Sequence, residues 1–253
     1  MNKHYLARDV RRTALLLCAC VLPMGAHAAG GHHAVDDAAT LDSRSCVADA
    51  WMGDSRTTLL HLGASCGVGP VELGVSAEHE RSLNPDSDFA SQTGLELQMK
   101  WAHALDEEVG LGLSYELGID ARPFPPEYAL SSFNGLFTWK PASWREYAVH
   151  LNAGTDIVDK GGNDGGSEDY SRWGVALEWT PQAGRLPEMM TGMGQWSFVG
   201  ERYRRFEADY LRLGFRIGVG RNGNFDVSRE QGLNGTDEGG RWFFGVTMPL
   251  EIR

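Results

Sequence analysis

Residues 109–119 read Val-Gly-Leu-Gly-Leu-Ser-Tyr-Glu-Leu-Gly-Ile, with an apolar side chain at every odd position and a small or polar one at every even position. Successive side chains of a β-strand point to opposite faces, so this alternation predicts a strand with one apolar and one polar face. The segment is also as long as a tilted strand must be to cross a lipid bilayer. Residues 242–252 repeat the pattern with apolar residues two apart. The chain is therefore predicted to form strands of two unlike faces.

The same alternation recurs along the chain and predicts about twelve strands separated by turn signals. Glycine accounts for 32 of the 253 residues and aromatic residues for 10% of them, which favours hairpins over helices. No apolar run after residue 28 approaches the length of a spanning helix. The predicted strands span residues 44–51, 56–66, 69–79, 92–104, 107–119, 131–139, 144–155, 171–181, 191–203, 206–219, 222–228 and 240–252.

Two all-β architectures fit this pattern. A soluble sandwich or lipocalin-like barrel buries the apolar face and hydrates the polar one, whereas a membrane barrel turns the apolar face to lipid. Strand lengths near eleven residues, Trp and Tyr near strand ends such as Trp51, Trp179 and Tyr203, and long connections that tend to alternate with short ones favour the membrane barrel. The alternation of connection lengths weakens at residues 180–190 and at Arg204-Arg205, where a short turn replaces a long loop. We predict an antiparallel transmembrane barrel over residues 44–253.

The N-terminus has the three parts of a secretory signal peptide. Four basic residues precede an apolar stretch at residues 13–22, and Ala26-His27-Ala28 forms a cleavage site. Ten apolar residues are too few for an uncleaved membrane anchor. We therefore predict a signal peptide over residues 1–28 and a mature start at Ala29, followed by a flexible periplasmic segment over residues 29–43.

Export changes what the remaining charges and cysteines imply. Removing residues 1–28 leaves 19 basic and 33 acidic residues, a net charge of −14. This balance disfavours nucleic acid and anionic lipid surfaces as partners. Cys46 and Cys66 remain after cleavage and flank a short hairpin, so we predict a disulfide between them. A thiol metal site is the less favoured alternative, because two sulfurs alone rarely complete a zinc shell.

The polar faces of the predicted strands carry both acids and bases, which we assign to the lumen. Charges enclosed in a narrow barrel must pair with one another, and rings of charge in a channel select ions. The acids outnumber the bases slightly, which favours cationic solutes. The predicted lumen charges are Glu72, Glu96, Lys100, Glu116, Glu178, Arg212 and Arg216.

A cluster of His and Asp lies ahead of the first strand. Imidazole nitrogens suit copper, zinc or nickel, and carboxylates can complete the coordination shell. The candidate metal ligands are His32, His33, Asp36 and Asp37. The favoured interpretation is a tail without a metal, which could partly plug the lumen; a periplasmic metal-capturing tail is the alternative.

Hydrolytic chemistry finds little support in the sequence. There is no G-x-S-x-G nucleophile motif. Some barrel enzymes cleave lipids with a strand-borne His and Ser two residues apart, but the strand histidines His61, His103 and His150 are followed at that spacing by Gly, Leu and Asn. We predict no catalytic residues and no enzymatic activity.

Taken together, the signal peptide, the alternating strands and the loop pattern over residues 44–253 resemble those of a bacterial outer-membrane β-barrel protein. Residues 30–37, Gly-Gly-His-His-Ala-Val-Asp-Asp, are similar to those of uncharacterised proteobacterial envelope proteins. The resemblance implies localisation in the outer membrane of a Gram-negative bacterium, with lipid and the barrel-assembly machinery as partners. The chain departs from it by ending on Arg253 instead of an aromatic residue, and Pro249 removes a hydrogen-bond donor from the last strand.

Three functions therefore stand as expectations. The first is a non-enzymatic channel or binding protein for small polar or cationic solutes. The second is a transition-metal-binding envelope protein that acts through its His/Asp segment. The third is a lipid-modifying barrel enzyme.

Overall fold

The computed structural model describes residues 33–83, 91–121, 127–159, 166–182, 195–219, 223–234 and 240–250. Within these ranges, twelve antiparallel strands form one closed barrel, in which each strand pairs with its neighbours in sequence and β1 pairs with β12. The predicted fold class and strand number are therefore confirmed. The predicted signal peptide and the mature start at Ala29 lie outside the described residues.

The strands are 9 to 14 residues long, the length expected of bilayer-spanning strands. A short 3₁₀ turn, Ala142–Trp144, lies between β6 and β7. Across the described residues, no helix is long and apolar enough to span a membrane. The strands are β1 Cys46–Asp54, β2 Thr57–Val68, β3 Val71–Ser82, β4 Ser91–Ala104, β5 Val109–Asp120, β6 Glu127–Trp139, β7 Tyr147–Asp159, β8 Ser167–Trp179, β9 Trp196–Arg205, β10 Ala208–Val219, β11 Gly223–Gly232 and β12 Arg241–Leu250.

The barrel has two unlike rims. We call the rim where β1 begins and β12 ends the terminal rim, and the opposite one the distal rim. The distal rim carries the long connections 83–90, 121–126, 160–166 and 233–240, but the longest of all, residues 180–195, joins β8 to β9 at the terminal rim. Alternation of loop lengths is therefore weaker than the sequence suggested. Pro249 does not prevent closure, because it pairs in register with Val47 of β1.

Apolar side chains face outward and polar side chains face the lumen. Leu62, Leu113 and Leu213 of the outer face are 60 to 66% exposed, the arrangement that a lipid environment stabilises. On the inner face, Ser132 and Asp156 are fully buried and hydrogen-bonded to each other at 2.5 Å. The predicted orientation of the strand faces is thus confirmed.

The aromatic residues divide between the two faces. Trp139, Trp144 and Trp179 are on the outer side near the terminal rim, where an interfacial girdle belongs. Trp51 and Tyr203 were also predicted for a girdle, but their register places them on the lumen face, and that prediction is wrong for them. Strand alternation decides which face an aromatic residue takes, and closeness to a strand end does not.

The predicted disulfide is present. Cys46 and Cys66 are bonded to each other and are opposite in the β1–β2 register. The bond therefore joins the first two strands at the terminal rim, next to the point where the chain enters the barrel.

Candidate functional site: the barrel lumen

Residues 33–45, which we call the N-terminal segment, start inside the barrel and leave it at the terminal rim, where residues 42–45 are exposed. Beside the terminal rim, Ser43 forms an isolated bridge with Gly67 of β2, and the Leu41 N–H donates to Glu72 Oε2 of β3 at 3.0 Å. The Ala38 N–H then donates to Thr138 Oγ1 of β6 at 2.8 Å. The segment therefore crosses the lumen from the β2–β3 wall to the opposite side.

The segment then follows the wall formed by β7 to β9 toward the middle of the barrel. The side-chain amide of Asn152 faces the backbone of Asp36, 2.7 Å from its nitrogen and 2.8 Å from its carbonyl oxygen. The N–H groups of Ala34 and Val35 donate to the Glu201 carboxylate at 3.2 and 3.4 Å. Side chains of the wall thus satisfy backbone groups that would otherwise be buried without partners.

Charged contacts hold the N-terminal segment at two places inside the barrel. The Lys100 ammonium lies 2.8 Å from Asp36 and 3.1 Å from Asp37. His33 lies deeper in the lumen, with Nδ1 3.2 Å from Glu201 and Nε2 3.7 Å from Asp226. Both carboxylates that His33 meets are almost completely buried. Removing one partner from such buried pairs is costly, so these contacts fix the segment in the barrel.

Val35 adds an apolar anchor in an otherwise polar lumen. It is 1% exposed and packs in one cluster with Ala176, Val199 and Tyr203. A Cβ on Gly174 would lie 2.5 Å from Val35 Cγ2, closer than real carbon contacts allow. Likewise, a Cβ on Gly110 would lie 2.9 Å from the Ala38 carbonyl oxygen. The wall is therefore shaped to fit the segment.

This arrangement agrees with the interpretation of a tail that partly plugs the lumen, and it differs from a tail free in the periplasm. Wall residues contact the segment inside the lumen from Leu41 to His33. Its metal-ligand candidates separate: Asp36 and Asp37 meet Lys100, whereas His33 meets Glu201. His32 is outside the described residues. Within the described ranges, no group of three or more His, Cys, Asp and Glu side chains is placed to hold a metal ion.

Two cavities remain around the segment. The terminal cavity, of 180 Å³, lies between the segment and the wall from β1 to β5. The distal cavity, of 540 Å³, lies above the segment and extends to the β9–β10 turn at the distal rim. The two share the lining residues His33, Ala34, His61, Gln98, Glu116 and Arg172. These residues surround the narrow zone between the cavities.

The distal cavity is electrically polarised. Its β3–β5 wall carries carboxylates, whereas its β8–β12 wall carries guanidinium groups and aromatic rings. Most of these charges are paired across the lumen or along the wall. The pairs are Glu80 with Arg241 at 3.3 Å, Glu116 with Arg172 at 3.1 Å, Glu78 with His61 at 3.1 Å, and Glu230 with Arg212.

All seven predicted lumen charges lie on the inner face, and their partners differ. Glu72 and Lys100 hold the N-terminal segment. Four others pair within the wall: Glu116 with Arg172 at 3.1 Å, Glu178 with His150 at 3.6 Å, Arg212 with Glu230, and Arg216 with Asp226 at 2.7 Å. Glu96 accepts a hydrogen bond from Gln98. Their proposed role in selectivity stays a prediction.

Sequence reasoning missed several residues that build the lumen. Arg172 lies two positions before Gly174 on the predicted polar face of β8, so extending the alternation would have found it. Glu201 and Asp226 were harder to find, because β9 and β11 carry polar residues on both faces. The role of the segment itself had no periodic signal.

A closed twelve-stranded barrel with lipid-compatible outer and polar inner faces defines an outer-membrane β-barrel protein of a Gram-negative bacterium. A family model matches residues 17–248. The chain belongs to that family, which is described as "Uncharacterised conserved protein UCP029691".

Solved structures share the fold at low sequence identity. An outer membrane channel from Pseudomonas putida F1 aligns with a TM-score of 0.57 and 11% identity, over 85% of this chain and 98% of that one. The NanC porin aligns with a TM-score of 0.54 and 9% identity, over 82% of this chain and 100% of that one. The KdgM porin, solved in complex with disordered oligogalacturonate, aligns with a TM-score of 0.50 and 8% identity, over 82% of this chain and 99% of that one. A search of curated protein sequences finds no match.

Proposed function

We propose that this protein is a non-enzymatic outer-membrane channel that binds small polar solutes in its distal cavity, and that the N-terminal segment restricts their passage. The observation that carries the proposal is the division of the lumen. A cavity of 540 Å³ occupies the distal half, whereas the segment crosses the terminal half in contact with its wall and has a cavity of 180 Å³ beside it.

The terminal rim faces the periplasm in this proposal. An even number of strands returns both ends of the barrel to one side, and export delivers the N-terminus from the periplasm. The distal cavity then opens toward the cell exterior. Solutes would enter there and would meet the segment before they could reach the periplasm.

The lining of the distal cavity supports small polar solutes. Charged and hydroxyl groups of the wall can exchange water contacts for solute contacts, which suits hydrophilic ligands. The preference for cations, which the sequence favoured faintly, stays a prediction, because paired bases offset most of the carboxylates.

A hydrolytic role has weak geometric support. His150 has the neighbours of a catalytic histidine, with Thr138 Oγ1 2.9 Å from Nδ1 and Glu178 3.6 Å from Nε2. However, the Thr138 hydroxyl also accepts a hydrogen bond from the Ala38 N–H. Neither His150 nor Thr138 lines the terminal or the distal cavity. These groups therefore support the segment rather than a reaction.

The proposal is tested by single-channel recording in planar bilayers. We expect the protein that begins at Ala29 to show a small conductance, and a variant lacking residues 29–41 to show a conductance several-fold larger. A point variant gives a second route, because the Gly174→Val side chain collides with Val35 and should release the segment. Folding of each variant is checked by heat-modifiable gel mobility.

Gly94→Val is the matched control. Gly94 also faces the lumen, but the nearest atom to a Cβ there is the Ile119 carbonyl oxygen at 3.8 Å. We expect its conductance to equal that of the unmodified protein. Equal conductance in the unmodified, truncated and Gly174→Val proteins would show that the segment does not restrict passage.

A further inference from the structure

Two charged side chains of the distal cavity are left without an ionic partner. Every other charged group that lines it meets an opposite charge at ion-pairing distance, within the part of the chain that the structure describes. The exceptions are Glu96 of β4 and Arg205 of β9. Glu96 accepts one hydrogen bond, from the uncharged amide of Gln98. Both residues are half-buried, and charges that are partly removed from water are stabilised by an ionic partner.

The backbone places Arg205 over the mouth of the cavity. The β9–β10 turn consists of Phe206 and Glu207, and both have positive φ, 48° and 66°. Neither is a glycine, so each occupies a left-handed conformation that residues with a Cβ rarely adopt. Such strain persists where the surrounding structure holds it, often at binding sites. The tight turn keeps Arg205 at the end of β9, where a longer loop would let it move away.

The Arg205 guanidinium is held by its own turn, and among the described residues no acid lies within ion-pairing distance of it, although the Glu78 and Glu96 carboxylates are near enough to attract it across the cavity. Its carbon Cζ lies 5.0 Å from the centre of the Phe206 ring, a cation–π contact that leaves the planar N–H groups free to bind. Among the described residues, no hydrogen-bond partner faces its buried Nε. A carboxylate is the group that this fork of donors fits best.

We propose that the distal cavity binds small zwitterions, with the ligand's carboxylate on Arg205 and its ammonium group on Glu96. The inference rests on the proposed function, because it names the class of solute that the distal cavity takes. A zwitterion neutralises both unpaired groups at once. A singly charged solute leaves the other group of the cavity unpaired.

Ligand titration of the detergent-refolded protein tests this assignment. The probes are glycine, β-alanine, γ-aminobutyrate and ε-aminocaproate, which carry the same two charges at increasing separation. Propylamine and butyrate are the matched compounds that lack one charge of γ-aminobutyrate. We expect calorimetric binding of at least one zwitterion, with affinity peaking at the chain length that spans Glu96 and Arg205.

Loss of one charge from either partner should weaken binding similarly. A hydrogen bond to a charged group contributes about 1.5–3 kcal/mol, so propylamine and butyrate should bind about ten- to a hundredfold more weakly. Glu96→Gln and Arg205→Gln should weaken zwitterion binding by a similar factor. Arg202→Gln is the control, because Arg202 is on the outer face of the same strand, over the Trp173 ring.

The outcomes separate this inference from the proposed function. Equal affinities for the zwitterions and the singly charged compounds, unchanged affinity in Glu96→Gln, or no binding of any probe would overturn the zwitterion assignment. A conductance increase on removal of the segment would still support a restricted channel in each case. Conversely, zwitterion binding with unchanged conductance would support the site and contradict the role of the segment.

Discussion

The terminal and distal halves of the lumen are lined by the same alternating strands but are filled differently. In the terminal half, wall groups such as Lys100, Thr138 and Glu201 are satisfied by the N-terminal segment. In the distal half, the wall charges pair mainly with one another, as Glu80 does with Arg241. The comparison teaches that a polar inner face does not by itself make an open pore. Whether space remains depends on what else in the chain can pair with that face.

Loss of Lys100 should have the largest effect, because it leaves the buried Asp37 and the half-buried Asp36 without their cation. Breaking such a buried pair costs about 3–5 kcal/mol. In Lys100→Met we expect amide exchange of Ala34 and Val35 to accelerate by about a hundredfold or more. Hydrogen exchange of the N-terminal segment measures this effect, and Lys140→Met, in the β6–β7 connection, is the control. Unchanged exchange would mean that Lys100 does not hold the segment.

Removal of the disulfide should have the next largest effect. It should lower the stability of the barrel more than it changes the seating of the segment in the lumen. The Cys46–Cys66 bond closes a loop of sequence separation 20, for which the chain-entropy model gives about 3 kcal/mol. Cys46→Ser with Cys66→Ser should therefore lower the free energy of unfolding in urea by about that amount. Identical unfolding midpoints with and without the bond would contradict this expectation.

Trimming Val35 tests the apolar anchor of the terminal half. Val35→Ala removes two methyl groups from the cluster with Ala176 and Val199, at about 0.8 kcal/mol for each group. Amide hydrogens of the N-terminal segment should then exchange about five- to thirtyfold faster. Val75 is 53% exposed on the outer face of β3. Val75→Ala should therefore leave the amide hydrogen exchange of the N-terminal segment unchanged. Equal acceleration of exchange in Val35→Ala and Val75→Ala would show that Val35 does not anchor the segment.

The smallest effect is expected in the distal half. Glu80 pairs with Arg241 at 3.3 Å near the distal rim, where both side chains are partly exposed. Exposed pairs contribute at most about 1 kcal/mol. Glu80→Gln should therefore change the unfolding midpoint slightly and leave segment exchange as it is. Acceleration comparable to that in Lys100→Met would show that the two halves are coupled and would contradict a difference between them.

The sequence predicted the barrel because its signal is periodic. Alternation identified Leu113 as outward-facing and Lys100 as inward-facing, and the structure confirms both assignments. Closeness to a strand end does not decide the face of an aromatic residue, and Trp51 shows this, because the alternation of β1 turns it to the lumen. The disulfide followed from two cysteines that flank one hairpin.

A tail that partly plugs the lumen was one interpretation of the sequence, but its path and its contacts could not be predicted in the same way. Residues 33–45 have no repeating pattern, and their contacts are made with strands far away in sequence, as between Val35 and Glu201. The glycines that make room for the segment, Gly110 and Gly174, are indistinguishable in sequence from those of any β-strand. Arg205 also needed coordinates, because its missing partner is a property of the assembled cavity.

The most direct test of the account is the position of Val35 in the assembled barrel. An ideal Cβ on Gly174 lies 3.6 Å from Val35 Cβ, within the range that a disulfide spans. The account predicts that Val35→Cys/Gly174→Cys forms a disulfide in isolated outer membranes, whereas Val35→Cys/Gly94→Cys does not. No disulfide in the first pair, or equal bonding in both pairs, would contradict a segment seated against β8 in the lumen.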